Sequence, residues 1–180
     1  RLKGNDLEGD NFGFSVSLLG TQLAVGAPFD SGAGNSTGGA GAVYLFNNPF
    51  TAPAVAGIIG KGYTGTGNLN VSALLLNDNF GAAVSLSGTQ LAVGAPFDND
   101  AGGLTSDAGA VYLVSNPFTA PVVTGVVGKG YTGTGNLNVS ALQAGDRFGT
   151  SVSLAGTQLA VGAINDDGAA NNVTDAGAVY

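Results

Sequence analysis

Short apolar or alternating runs separated by glycine-rich polar turns dominate the chain. Ser15–Leu18 alternates polar and apolar side chains, which is typical of a half-buried β-strand. Residues 19–22 form a short turn that contains Gly20, and Leu23–Gly26 returns as the partner strand. Pro28 ends this strand because proline cannot donate a hydrogen bond to a ladder.

Two further strands are predicted in the same stretch. Residues 42–46 are continuously apolar and β-prone, which is typical of a strand buried on both faces. Residues 54–59 form the fourth predicted strand, followed by a loop over 60–68 and a short stretch over 69–74. No apolar stripe of helical period persists, so we expect less than about a tenth of the residues to be helical.

The whole pattern recurs every 68 residues. Phe-Gly stands at 12, 80 and 148, Gly-Thr-Gln-Leu-Ala-Val-Gly-Ala at 20–27, 88–95 and 156–163, and Ala-Gly-Ala-Val-Tyr at 40–44, 108–112 and 176–180. Residues 12–74 and 80–142 agree at 48 of 63 positions. A copied unit of this kind must bury its apolar faces against its neighbours.

The predicted fold is therefore all-β, with tandem four-stranded antiparallel blades in an open β-propeller-like array. A β-solenoid-like stack of hairpins is the alternative. The predicted repeats are 1–68, 69–136 and a partial third repeat over 137–180. Phe12, Val16, Leu18, Val25, Val43 and their equivalents at the 68-residue spacing are expected to be buried.

Composition narrows the possible chemistry. The 180 residues contain no cysteine, histidine, methionine or tryptophan, which removes thiolate and imidazole sites. Because no acid–base pair or nucleophile constellation stands out, we expect no enzyme activity. The net charge of −7 disfavours nucleic acid as a partner, and no apolar run is long enough for membrane insertion.

The combination of Phe-Gly, Ser-Val-Ser-Leu, Leu-Ala-Val-Gly-Ala-Pro and Gly-Ala-Val-Tyr-Leu resembles the FG-GAP repeat of integrin α propellers. It is most similar to the copies in very long bacterial surface proteins. The third unit departs from the pattern at Ile164, where the other units have proline. The resemblance implies a non-catalytic propeller for adhesion or protein contact, an extracellular or cell-surface location in a bacterium, and often bound calcium.

The calcium loop of that family does not carry over to this chain. Its place is taken by 19–22, 87–90 and 155–158, none of which contains a carboxylate. We therefore expect no cofactor, with calcium as the alternative, and no metal in these turns. Carboxylates do occur after the Gly-Ala-Pro position, and they are the weaker metal candidates: Asp98, Asp100, Asp107, Asp166, Asp167 and Asp175.

Those carboxylates have a simpler interpretation as turn residues that bond nearby backbone amides. Asp10, Asp78 and Asp146 stand two residues before each Phe-Gly and allow the same two interpretations. Either they contact a metal or ligand, or they form Asx-type turns that position the phenylalanines. The second interpretation makes Phe12, Phe80 and Phe148 core residues between blades.

A glycine-rich segment with one lysine and one tyrosine recurs at 60–67 and 128–135. It lacks the Gly-Lys-Ser/Thr that opens a helix in phosphate-binding loops, so a phosphate site is disfavoured. We predict a contact surface instead, with these interaction residues: Lys61, Tyr63, Lys129 and Tyr131.

Two functions remain from these patterns. The first is an adhesive or protein-contact segment of a secreted or surface protein. The second is a structural subunit whose open blade edges associate into a filament or ring. Because Tyr180 occupies the position of Tyr44 and Tyr112, the third unit has no counterpart of residues 45–68. We expect neighbouring repeats or a second chain to cover the 176–180 strand, with contacts at Val179 and Tyr180.

Overall fold

The chain folds entirely as β-strands and turns. The computed structural model describes residues 9–168 and 173–180, so residues 1–8 of the predicted first repeat lie outside it. In that part of the chain there is no helix. The strands are β1 (Ser15–Leu19), β2 (Gln22–Ala27), β3 (Ala42–Asn47), β4 (Ala54–Gly60), β5 (Leu69–Asn70), β6 (Ala83–Ser87), β7 (Gln90–Ala95), β8 (Ala110–Ser115), β9 (Val122–Gly128), β10 (Leu137–Asn138), β11 (Phe148–Ala155), β12 (Gln158–Ala163) and β13 (Ala178–Val179).

These strands form three separate sheets, one for each unit. We number the units by their Phe-Gly pairs at 12, 80 and 148. The first two sheets have the orders β1-β2-β3-β4-β5 and β6-β7-β8-β9-β10, and the third is β11-β12-β13. Consecutive strands are antiparallel up to β4 and β9, as predicted.

Each full sheet has one strand more than the four predicted. β5 adds to β4 in parallel, with Leu69 opposite Ile59, and β10 adds to β9 in the same way. A parallel pair needs a crossover, and the glycine-rich 60–67 segment provides it. The Asn68 side chain stabilises this return because its Oδ1 accepts a hydrogen bond from the Ile58 amide at 2.8 Å. β5 belongs to the first sheet although it lies past residue 68. The repeat limits at residues 68 and 136 stay a prediction.

The sheets stack face to face, and the hydrophobic core lies between them. Between the first and second sheets, Val43 and Leu45 pack in one cluster with Val84 and Leu86. Val111, Phe148 and Val161 belong to the equivalent cluster between the second and third sheets. The first strands of the three sheets are neighbours. This arrangement explains the continuous apolar runs of β3 and β8, because both faces of these strands are covered.

The fold class is therefore confirmed as an open β-propeller-like array of repeats. The burial of Val25 and Val43 is also confirmed, as is that of Phe80 and Phe148 as core residues between sheets.

The prediction that every equivalent position is buried was wrong at the outer sheets. Val16 is 64% exposed and Leu18 is 51% exposed, whereas Val84 and Leu86 in the second sheet are each 8% exposed. At the other end of the stack, Val179 is 80% exposed. Phe12, Val152 and Leu154 are only partly buried. These positions depend on a neighbouring sheet, and the described structure places none against Val16, Leu18 or Val179.

Candidate functional site

Backbone contacts attach each unit to the one before it. The Phe80 amide donates to the Ala40 carbonyl at 3.0 Å, and Phe80 forms a parallel bridge with Gly41. The third unit repeats the contact, because the Phe148 amide donates to the Ala108 carbonyl at 3.0 Å. The Phe-Gly segment is thus the backbone connection between neighbouring units.

Glycine is required where these segments meet the preceding sheet. A Cβ on Gly26 would lie 1.9 Å from the Gly81 carbonyl oxygen, and one on Gly94 would lie 1.9 Å from the Gly149 oxygen. Because the clashing atom belongs to the backbone, no side-chain rotation can relieve the clash. Gly162, the equivalent in the third unit, would meet only the Ser151 hydroxyl oxygen at 2.4 Å, which is the end of a side chain.

Serine side chains join the first strands of neighbouring sheets. The Leu86 amide donates to Ser17 Oγ at 2.9 Å, and the Leu154 amide donates to Ser85 Oγ at 2.9 Å. The polar positions of the Ser-Val-Ser-Leu pattern therefore bond the following sheet, while the apolar positions Val84 and Leu86 pack against the preceding one. Together, the two sides of the strand define how one unit recognises the next.

Two faces of the stack are left without a partner sheet in the described structure. We define the first open face by Val16 and Leu18 on β1, and the last open face by Val179 and Gly162, which are paired between β13 and β12. Val179 is equivalent to Val43 and Val111, which are completely buried. The open faces thus carry the residue types that are covered at the two junctions inside the chain.

A buried aspartate bonded to tyrosines recurs in each unit. In the first, the Tyr44 hydroxyl donates to Asp30 Oδ2 at 2.7 Å, and the Tyr63 hydroxyl lies 2.9 Å from Asp30 Oδ1. In the second, Tyr112 and Tyr131 donate to the two oxygens of Asp98 at 2.6 and 2.7 Å. The third unit keeps the bond from Tyr180 to Asp166 Oδ2 at 2.6 Å.

The pKa values of the tyrosines in these clusters are raised. Burial raises the pKa of Tyr63 to about 12 and raises that of Tyr112 further, with the nearby Asp98 carboxylate adding to the shift. Burial also raises the pKa of Asp98, and the hydrogen bonds from Tyr112 and Tyr131 partly oppose that rise. The tyrosines therefore act as hydrogen-bond donors at neutral pH, and the cluster joins three parts of a unit rather than supplying a nucleophile.

Asp78 and Asp146 form turns just before the second and third Phe-Gly pairs. Asp78 Oδ2 accepts a hydrogen bond from the Leu75 amide at 2.6 Å, and Asp146 Oδ2 accepts one from the Gln143 amide at 2.7 Å. Both side chains are buried, as is Asp10. Burial raises the pKa of Asp78 to about 7, with the carboxylates of Asp98 and Asp107 adding to the rise and the Leu75 amide opposing it. Asp146 shifts in the same direction, again mainly through burial.

The other metal candidates make local hydrogen bonds. Asp100 Oδ1 accepts from the Gly102 and Leu104 amides at 3.0 and 2.8 Å, and Oδ2 accepts from the Thr105 hydroxyl at 2.6 Å. These bonds lower the pKa of Asp100, the Thr105 hydroxyl most strongly.

In the third unit, Asp167 Oδ1 accepts a hydrogen bond from the Asp175 amide at 2.9 Å. In the second unit, the Asp107 amide donates to Asn99 Oδ1 at 3.1 Å. Over residues 9–168 and 173–180, no three acidic side chains are grouped as a metal site. Metal binding by these residues stays a prediction.

The predicted contact loop is partly engaged inside its own unit. Lys61 Nζ donates to the Ser72 carbonyl, and Lys129 Nζ donates to the Ser140 and Leu142 carbonyls. Tyr63 and Tyr131 are half-buried with their hydroxyls on Asp30 and Asp98. The residues of the loop between them and Asn68 or Asn136 are more exposed.

The series Asp30, Asp98 and Asp166 was not predicted as a shared feature. Asp98 and Asp166 were predicted only as weaker metal candidates, although all three aspartates recur at the 68-residue spacing together with Tyr44, Tyr112 and Tyr180. The recurrence of a carboxylate and a tyrosine 14 residues apart was the signal that pointed to them.

No curated protein is similar enough to the chain to match it. The FG-GAP repeat matches over residues 4–46, 75–114 and 135–180, which together cover more than half of the chain and contain all three Phe-Gly pairs. With the repeated junctions and the sheet topology described above, the chain belongs to the FG-GAP repeat family.

Proposed function

We propose that this chain is a non-catalytic protein-contact segment of a secreted or cell-surface protein, and that contact runs through its open faces. FG-GAP repeats form β-propeller-like domains that are typically non-catalytic and take part in protein contacts. The finer points, which are adhesion, the extracellular location and the face used, are our proposal.

One observation carries the proposal: the first open face matches a surface that is covered elsewhere in the same molecule. Val84 and Leu86 pack against the preceding sheet and are each 8% exposed, while Val16 and Leu18 are 64% and 51% exposed. Exposed aliphatic side chains next to each other on a strand favour association. The occupant that fits best is another FG-GAP sheet, because two copies of that junction exist in this chain.

The chemistry of the described residues supports a binding role over catalysis. The buried carboxylates accept hydrogen bonds from tyrosines or backbone amides, which fixes them as structural acceptors. The sequence has no histidine or cysteine that would act as a base or nucleophile near neutral pH.

The family supports the proposed location. FG-GAP repeats usually occur in extracellular or surface proteins. Among the residues that the structure describes, no helix is long and apolar enough to cross a membrane. Labelling intact source cells with an antibody to this chain, before and after permeabilisation, tests the location; signal only after permeabilisation would contradict it.

A second candidate is a structural subunit of an extracellular filament or ring. The observation that favours it is the last open face, where Val179 is 80% exposed and the atoms nearest to a Cβ on Gly162 would all belong to Ser151 of the same sheet. Head-to-tail contact between the first and last open faces of two chains would use the surfaces of the internal junctions. Such heterologous contacts close into rings or extend as filaments.

The proposal is tested by sedimentation velocity over a concentration series up to about 100 µM. We expect the unchanged chain to associate reversibly and Leu18→Asp to abolish association, because a carboxylate cannot be buried in an apolar junction. Leu104→Asp is the matched control, since Leu104 is 90% exposed in the loop between β7 and β8 and belongs to neither open face as defined above. A monomeric unchanged chain at the highest concentration, or equal loss of association in both variants, would contradict the proposed open-face contact. Electron microscopy of the associated material then separates rings and filaments from small oligomers.

A further inference from the structure

An apolar cavity lies where the three units meet at one end of their sheets. Its volume is about 280 Å³, and all three units contribute side chains to it. The lining comes from a few repeat positions, which are those around each Phe-Gly pair and those just after β2, β7 and β12. Because β1 is antiparallel to β2, these positions lie at the same end of each sheet. The cavity is therefore a product of stacking and does not exist in a single unit.

The units differ from one another around this cavity, although they are otherwise near-copies. The residue after Phe-Gly is Phe14 in the first unit but Ala82 and Thr150 in the others. Ile164 replaces the proline found at the equivalent positions of the first two units. Distinct side chains at positions that converge on one cavity give it a shape that repetition alone would not produce.

Among the described residues, Arg147 is the one cation that lines this cavity. Arg147 stands where the first two units have Asn11 and Asn79. Its guanidinium carbon lies 4.8 Å from the centre of the Phe97 ring, and its Nε is buried without a hydrogen-bond partner in the described part of the chain. A buried donor left without an acceptor costs stability. Lys61 and Lys129, by contrast, donate to backbone carbonyls.

From this arrangement, we propose that the cavity binds the C-terminal residue of a partner polypeptide, with the α-carboxylate at Arg147 and an aromatic or branched aliphatic side chain against Phe97 and Ile164. A carboxylate supplies the acceptor that Arg147 Nε lacks, and the planar guanidinium binds carboxylates through paired hydrogen bonds. The apolar lining suits the side chain that stands next to that carboxylate at a chain terminus. The volume is at the small end for ligand cavities, which suits one or two residues.

This inference goes beyond the proposed open-face contact, because it uses a different surface. Val16, Leu18 and Val179 do not line the cavity. The two proposals therefore fail separately: Leu18→Asp tests association, and changes at Arg147 test peptide binding.

The test is a titration of the ¹⁵N-labelled chain, followed by NMR, with two peptides that differ only at their C-terminus. N-acetyl-Ala-Gly-Phe with a free carboxylate is the probe, and the same peptide as its amide is the control. We expect the acid to shift the amide signals of Phe97, Arg147 and Ile164 and to bind about tenfold more tightly than the amide. N-acetyl-phenylalanine, a single residue, should bind no more tightly than the peptide.

Three variants make the test specific. Arg147→Asn restores the residue of the first two units, so we expect it to fold and to lose the preference for the acid. Ala82→Phe places the bulk of Phe14 in the second unit and should block both peptides by filling the cavity. Lys129→Gln removes a positive charge that does not line the cavity and should leave binding unchanged.

Equal binding of acid and amide, or unchanged preference in Arg147→Asn, would overturn the inference. Signal shifts away from the cavity would do the same. Tight binding of N-acetyl-phenylalanine with no binding of the peptide would replace the polypeptide terminus with a small aromatic acid and overturn the proposed partner.

Discussion

The first strands of the first and second sheets share the tripeptide Val-Ser-Leu, yet one is exposed and the other is buried. Val16 and Leu18 are 64% and 51% exposed, whereas Val84 and Leu86 are each 8% exposed. The strands also have the same register with their partners, since Val16 lies opposite Val25 and Val84 opposite Val93. Local sequence therefore sets the strand, and the neighbouring sheet sets its burial. The stability that these side chains contribute therefore depends on the junction between units.

Substitutions at the glycine contacts between units should cost the most stability. Gly94→Ala places a Cβ 1.9 Å from the Gly149 carbonyl oxygen, so the backbone at the junction of the second and third units must shift. We expect a loss of more than about 3 kcal/mol in the free energy of unfolding, measured by urea denaturation. Gly162→Ala, which meets only the Ser151 side chain, is the matched control and should cost much less. Equal losses in both variants would mean that the glycine is needed for strand conformation alone.

The next effect is at the apolar positions of the same strands. Leu86→Ala removes a side chain packed between two sheets, and we expect a loss of about 2–4 kcal/mol. Leu18→Ala removes the equivalent side chain from the first open face and should cost less than about 0.5 kcal/mol in dilute solution, where association is absent. Similar losses would show that a partner already covers Leu18 in solution.

Much of the fold within a single unit could be predicted from the sequence. Contacts between distant loops and between stacked units could not. The strands β1 to β4 were predicted to within a residue or two, because alternation, glycine turns and proline act locally. β5 was missed because two residues carry no periodicity. The Asp30–Tyr63 contact spans 33 residues and joins two loops, so no local pattern contains it. The cavity at Arg147 needs three stacked units.

We expect stability to depend on pH through Asp78, which stands just before the second Phe-Gly pair at the junction between the first two units. The pKa of Asp78 is raised in the folded state from 3.8 to about 7, so the folded chain binds this proton more tightly than the unfolded chain. Stability should then be greatest at low pH, fall as pH rises from about 4 to about 7, and stay lower above that range. Asp98 and Asp146 have raised pKa values and act in the same direction.

Thermal unfolding between pH 4 and pH 8 measures this slope. Asp78→Asn should reduce this slope, because an amide has no charged form whose burial costs free energy. The amide oxygen can still accept the hydrogen bond from the Leu75 amide. Asp100→Asn is the control: the pKa of Asp100 is lowered, so removing its carboxylate should leave the falling slope in place. An Asp78→Asn slope identical to that of the unchanged chain would show that Asp78 does not cause it.

Calcium should change stability least, although the loops of the second and third units are more acidic than that of the first. The second loop has Asp98, Asp100 and Asp107, and the third has Asp166, Asp167 and Asp175, while the first keeps only Asp30. Several of these carboxylates already accept hydrogen bonds from amides or hydroxyls, which compete with a cation for the same oxygens. We therefore expect 1 mM calcium to raise the melting temperature by less than about 2 °C relative to EDTA, as a dissociation constant above about 1 mM implies. A rise of about ten degrees would require a dissociation constant in the micromolar range. If Asp100→Ala or Asp167→Ala abolished such a rise while Asp10→Ala did not, the acidic loops would be calcium sites and the turn interpretation of these carboxylates would be wrong.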